Sequence, residues 1–275
     1  MNMNRRILTS LLMFLMVFVV YSGVNSGTAQ AAPAKYPVLL KINDYYVLYT
    51  TPKPPYVDAQ NRMMIPLRSV SELIGAKVSY DSKSKTAAIK MDDKTITFTI
   101  GSKKVTTNGT ADQMDTVPVL NQNSMFIPIS VLAAHLGIQS NWDQTNHLYS
   151  LMGDNLMQTD IIKYTLEDME GGAWTAPPEK IISNDAFRPV SYTYDASKGS
   201  FTIQAKNITG ADVAKGAADV AAYILTDDSV QFPDRNRERP AVKKDGVLEV
   251  TVKNGSSKSV DYLLIKGRLL DRPAS

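Results

Sequence analysis

MMIPLRSVSELIGAKVSYD, residues 63–81, and MFIPISVLAAHLGIQSNWD, residues 125–143, read as two versions of one segment, and what they share decides the fold. Met125 lies 62 residues after Met63, and that offset holds without a gap from Val57 and Val119 through Asp81 and Asp143. Along it Gln60 meets Gln122, Asn61 meets Asn123, and Ile65-Pro66 meets Ile127-Pro128. Gly75 meets Gly137, and Tyr80-Asp81 meets Trp142-Asp143. Chance rarely aligns turn formers, a proline, a glycine and an aromatic-Asp pair together, so the pattern is that of an internal repeat.

Each copy translates into the same short string of elements. Asp58 to Asn61, and Asn121 to Asn123, are polar turn formers between extended runs. Met64-Ile65 and Phe126-Ile127 read as short strands, and Pro66 and Pro128 suit the first turn of a helix, where a missing N–H costs nothing. That helix shows Leu67, Val70, Leu73 and Ile74 on one stripe, with Arg68, Ser71 and Glu72 facing away. Gly75 and Gly137 fit the left-handed position that ends a helix. A strand from Lys77 to Tyr80 follows, and Asp81-Ser82-Lys83-Ser84 turns it into another from Thr86 to Met91.

Outward from these segments the chain is rich in strand signals. Val38 to Ile42 and Tyr45 to Thr50 flank an Asn43-Asp44 turn, and Thr95 to Ile100 alternates as a strand with one buried face does. Asn108-Gly109 marks a tight hairpin. Neither copy carries enough apolar residues for a core of its own, so the two are expected to pack as one domain. Asp160 is placed to cap a short helix through Asp168, which Gly171-Gly172 would stop, and Trp174 to Pro178 reads as a linker. Beyond it, Val190 to Tyr194, Phe201 to Ala205, Val247 to Val252 and Val260 to Leu270 read as strands, while Ala217 to Leu225 fits helix or strand.

Met64-Ile65-Pro66-Leu67-Arg68, Ile74-Gly75-Ala76 and Val78-Ser79-Tyr80-Asp81 resemble the V-P-L-R-like string, the Leu-Gly-Ala helix end and the Val-x-Trp-Asp-like strand end of a known family. It is the stalk-type domain named after the N-terminal region of copper amine oxidases, common in exported proteins of Gram-positive bacteria. Pro54-Pro55 sits where that family often has prolines. The second copy departs from the pattern, with Ser130 in place of the arginine and Ile138-Gln139-Ser140 in place of Ala-x-Val. The resemblance runs from about Val38 to Met152 as two tandem copies. It implies a fold and little chemistry, because in copper amine oxidases the three histidine ligands and the tyrosine-derived cofactor belong to a separate domain. Further on, FTIQAKNITG (residues 201–210) and LEVTVKNGSSK (residues 248–258) resemble the immunoglobulin-like sandwich domains of exported bacterial proteins.

The expected organisation is therefore an α+β protein. Residues 1–31 form a signal peptide, and residues 36–152 a duplicated small strand-rich module with one short helix per copy, the copies being about 36–91 and 92–152. A linker with a short helix follows at 153–180, and a β-rich, sandwich-like domain at 181–275. The signal reading rests on Arg5-Arg6, the apolar run Ile7 to Tyr21 and Ala29-Gln30-Ala31, the layout of a secretory leader cleaved after Ala31. The rival is a retained membrane anchor, for which the run, broken by Thr9 and Ser10, is short. Without the leader 244 residues remain, with 28 basic against 27 acidic side chains, a net charge of +1. So even a balance gives no nucleic-acid signature, and no stable membrane span is expected after cleavage. There are no cysteines, which excludes disulfides, thiol nucleophiles and thiolate metal sites.

Reactive centres are hard to assemble from what is left. The two histidines are His135, aligned with Leu73 and so read as a packed residue, and His147, read as a solvated turn residue; no metal or cofactor is expected. Asp81 and Asp143 sit where strands enter turns, a position in which Asp accepts backbone hydrogen bonds two residues on. Glu167, Asp168 and Glu170 form a local acidic cluster with no positioned partner, and no nucleophile elbow, S-x-x-K, H-E-x-x-H or phosphate loop occurs. No catalytic residue is assigned. Tyr36, Tyr45, Tyr46, Tyr49 and Tyr56 form a concentration of tyrosines; Tyr45, Tyr46, Tyr49 and Tyr56 are the candidate surface for stacking on a ligand, against the alternative of strand tyrosines in a small core. Lys103-Lys104, Lys243-Lys244, Arg235, Arg237 and Arg239 read equally as cations for anionic wall polymers or as solvated loop cations, and no site is assigned to them. The expected role is structural or binding work, secreted and cell-wall associated, on a cell-wall polymer or envelope protein. The alternative is an accessory protein with an unrecognised hydrolase activity in the C-terminal domain.

Overall fold

In the computed structural model the described residues are 38–49, 54–158, 162–163, 180–195, 197–225, 230–231, 237–255, 260 and 262–271. The expected signal segment, Tyr36, Arg235, the Trp174 to Pro178 linker and all but Ile162 and Lys163 of the Asp160 to Asp168 helix lie outside them.

Two helices stand among many strands in the described residues. A hairpin of β1 (Leu39–Ile42) and β2 (Tyr45–Tyr49) comes first, turned by Asn43 at φ +50°. Then β3 (Tyr56–Val57), β4 (Met63–Pro66), α1 (Leu67–Leu73), β5 (Lys77–Asp81) and β6 (Thr86–Met91) follow in order. After β7 (Lys94–Thr99), β8 (Lys104–Thr107) and β9 (Thr110–Gln113), the order is met again as β10 (Val119–Asn121), β11 (Ser124–Pro128), α2 (Ile129–Leu136), β12 (Gln139–Asp143) and β13 (Leu148–Met152). Strands β5 to β9 form one antiparallel meander. Strands β10-β11-β4-β3 form a second sheet, whose centre pairs Ile65 with Ile127, Pro66 with Phe126 and Met64 with Pro128. Ile65 and Ile127, which match across the 62-residue offset, thus face each other, with Met64–Pro128 and Pro66–Phe126 on either side.

Helix α1 has seven residues, too few to persist alone, and is held by what it buries. Leu67, Val70 and Ser71, then Ile74 just beyond the helix, fall at the i, i+3, i+4, i+7 spacing of one face, and all four are buried. Ser71, expected to face outward, is thus an inward residue, while Arg68 and Glu72 are exposed. Pro66 and Pro128 close their strands in extended geometry (ψ 119° and 120°) one residue before helical geometry starts, rather than lying in the first turn. Both helices end alike. Gly75 and Gly137 adopt φ +78° and +75°, and the next N–H reaches back five residues, Ala76 to Ser71 and Ile138 to Ala133.

The C-terminal strands are β14 (Ile181–Ser183), β15 (Phe187–Asp195), β16 (Ser200–Asn207), β17 (Ala218–Leu225), β18 (Val230–Gln231), β19 (Val247–Lys253) and β20 (Tyr262–Leu270). Strands β15-β16-β19 form a three-stranded sheet, but β17, β18 and β20 do not form a sheet of their own. They continue the N-terminal hairpin in the order β12-β13-β1-β2-β20-β17-β18, with β2 and β20 antiparallel and Val47 facing Leu264. The sheet thus takes strands from both sides of the expected linker. Alternate residues serve different cores. Leu40, Val47, Tyr223 and Leu264 join the core containing the two helices, whereas Leu48, Ala222, Ile224 and Leu263 pack with Phe201, Ile203 and Leu248 of the three-stranded sheet. Because both faces are covered, all eight residues of β17 are buried, which resolves the ambiguous segment as a central strand.

Candidate functional site

Strand β5 lies at the edge of its meander, and alternation puts Val78 and Tyr80 on one face, away from Lys77, Ser79 and Asp81. Tyr80 leaves 44% of its surface exposed, and Leu120 of β10 leaves 53%. Both line a groove of about 270 Å³ with Arg68 and Ser69 from the start of α1 and Asn123 and Ser124 from the β10–β11 turn. Asn123 is held in the left-handed region at φ +60°, as is Asn61 at φ +59°. Asp81 stays out of the groove chemistry: it accepts from the Ser84 hydroxyl (2.7 Å) and the Lys83 N–H (2.9 Å), which hold its carboxyl below the usual range. The groove offers one aromatic face, an aliphatic neighbour, a guanidinium, an amide and hydroxyls. That combination can pack a pyranose C–H face and hydrogen-bond its rim. In the related stretch 125–143 Trp142 stands at the position matching Tyr80, but its ring lies parallel to His147 (6.4 Å between centroids, 2° between planes) and packs against Tyr149.

The four tyrosines expected to offer a stacking surface do not do so together. Tyr45, Tyr46 and Tyr49 are at most 5% exposed, because β2 is a central strand with a layer on each face. Tyr45 carries the Lys266 ammonium over its ring at 4.4 Å, and Tyr46 donates to Asp185 at 2.8 Å. Tyr56 is half-buried against Phe126, with ring centroids 5.6 Å apart. Tyr80 was visible in the sequence only as half of the aromatic-Asp pair. What separates it from the others is an edge strand, which its own local pattern does not reveal.

His135 is packed as expected and shares a hydrogen bond with the Thr107 hydroxyl at 2.7 Å. His147 is half-buried against Trp142 rather than solvated, since its positive φ of +49° folds the turn back onto that ring. Asp143 behaves as a turn residue, accepting from the Asn146 amide side chain at 2.5 Å and the Asn146 backbone N–H at 3.0 Å. Arg237 and Arg239 are not loop cations. Together with Arg268 they surround Asp219, whose side chain is fully buried on β17, with Arg239 Nε at 3.1 Å and Arg268 Nε at 2.7 Å. A charge inside the apolar string ADVAAYIL was the available sign that cations had to come to it. Among the described residues no group of three or more His, Asp or Glu side chains is placed to hold a metal ion, and no helix is long and apolar enough to cross a membrane.

The architecture is that of a strand-rich α+β protein with two short helices supporting paired small sheets. Residues 41–151 match the family model described as copper amine oxidase N-terminal domain, and this segment carries a domain of that family. The single match spans both related stretches, residues 63–81 and 125–143. Among curated proteins none matches the chain.

Proposed function

We propose that this is an exported, non-catalytic protein of the cell envelope that holds wall polysaccharide in the Tyr80 groove. The observation that carries the reading is an exposed aromatic ring and Leu120 sharing one groove with Arg68 and Asn123. A volume of about 270 Å³ fits one sugar ring of a longer chain better than a whole engulfed ligand, for which about 300–1,000 Å³ is usual. The leader-like layout of residues 1–31 and the family's occurrence in exported proteins support the location. We read residues 36–152 as an internal duplication. Its support is the recurrence of left-handed backbone at Asn61 and Asn123, Gly75 and Gly137, and Lys85 and His147, always 62 residues apart.

Sedimentation with purified cell wall, run beside hydrolase assays on the same material, tests the reading. The wild-type protein co-sediments without releasing fragments, and Tyr80→Ala weakens binding by about tenfold, the order expected from losing one aromatic platform of 1–2 kcal/mol. Fragment release without stable binding, or undiminished binding by Tyr80→Ala, overturns it.

A further inference from the structure

A second hollow lies on the opposite side of the long sheet from the helices. Its floor is Leu39 of β1, one wall is the Thr145-Asn146-His147 turn between β12 and β13, and the other is Arg188 of β15 with Lys206 of β16. Arg188 and Lys206 are directly paired across the two strands, so two cations emerge side by side on one face. Like charges in that position repel, an arrangement that is stabilised when negative charge is brought to it. Asp245 supplies some, binding Lys206 at 2.9 Å. No described carboxylate lies within ion-pair distance of Arg188, which is half-buried at the pocket wall. The acidic residue flanking the turn, Asp143, directs both of its oxygens to Asn146 and acts on Arg188 only through its charge, without a direct ion pair. Thr145 and Asn146 add neutral polar groups, and the His147 ring is fixed by its stack on Trp142.

We propose that this pocket binds an oxyanion, the phosphate or carboxylate group of a small ligand or of a polymer unit, with Arg188 as its principal partner. A guanidinium matches two oxygens of either group with parallel N–H donors, which an ammonium cannot do. The volume of about 220 Å³ admits the charged group and a short substituent rather than a large organic molecule. The pocket shares no lining residue with the Tyr80 groove, so it stands whether or not that groove takes sugar.

The test is titration of the full chain with inorganic phosphate and, separately, with acetate at constant ionic strength set by chloride. Trp142 fluorescence and the amide resonances of residues 145–147 are the readouts. Saturable change with phosphate alone assigns a phosphoryl group, with acetate alone a carboxylate, and with both a general oxyanion site. Arg188→Gln weakens the response at least tenfold and Lys206→Gln by less, with circular dichroism confirming the fold; where one variant fails to fold, the other decides. Tyr80→Ala leaves the response intact, which separates failure here from failure of the glycan reading. Absence of saturation with either anion, or an unchanged response in the folded Arg188→Gln or Lys206→Gln variant, overturns the proposal.

Discussion

Tyr46, Tyr49 and Tyr192 are three largely buried phenols, Tyr46 and Tyr192 in the core under the three-stranded sheet and Tyr49 in the core with the helices. Tyr46 donates to Asp185, which also pairs with Lys41 at 2.8 Å, and Tyr192 donates to the Tyr49 carbonyl at 2.9 Å. Burial raises the proton affinity of all three phenols; at Tyr46 the Asp185 charge adds to it, and at Tyr49 the neighbouring phenols of Tyr262 and Tyr192 do. Each holds its proton more tightly in the folded than in the unfolded chain. Their contribution is therefore complete below the ordinary tyrosine value of 10.0 and is lost as pH climbs beyond it. In an alkaline titration these three stay protonated above that value while exposed tyrosines ionise, and the remaining tyrosinate absorbance appears together with loss of the native circular dichroism. Complete ionisation of a still-folded protein would contradict the burial. That these residues are interior was only half legible in the sequence. YYVLY has no polar alternation because both faces of β2 are covered, and a run of amphipathic tyrosines then looks the same whether it lines a surface or a core.

Among the elements, the β4–β11 pair is where the two related segments join. Ile65 and Ile127 face each other, neither has exposed surface, and each is followed by a proline that closes its strand and a short helix that covers the core. Ile65→Ala and Ile127→Ala are each expected to cost about 2–5 kcal/mol in denaturant unfolding. Because the two side chains share one contact, the double variant loses less than the sum, by about 0.5–3 kcal/mol of coupling. Strict additivity would show that the pair does not pack as a unit. These local devices were the most readable part of the molecule. The glycine helix ends, the Asn108-Gly109 turn with both φ values positive, and the Asp81 and Asp143 turns depend on residues close in sequence. The Tyr80 groove was harder, since it needs β5, α1 and β10 brought together by the tertiary fold.

At the scale of the whole molecule, the feature no local pattern announces is the pairing of β2 with β20, strands separated by most of the chain. One point where the outer layer touches that sheet is Gly267 of β20. Its carbonyl accepts from Ala186 at 2.7 Å, and a Cβ there would lie 1.8 Å from the Phe187 carbonyl oxygen, a backbone atom with nowhere to move. Gly267→Ala therefore forces β15 off β20 and costs about 1–3 kcal/mol or more, as overpacking does. Hydrogen exchange by mass spectrometry locates the damage: protection falls in β15 and β16 and also in β1 and β2, which belong to the same sheet as β20. Loss confined to the C-terminal strands would mean that the two sides are energetically independent.

The order in which the strands are made gives that shared sheet a further meaning. Synthesis delivers β1 and β2 long before their neighbour β20, and β17 likewise waits for it with both faces apolar. A nascent chain cannot shut its middle layer until Leu270 has emerged, so completion of the native state comes as a single late event. Until then the earliest hairpin has one open edge, and whatever shields it in the cell acts on strands made long before their partner.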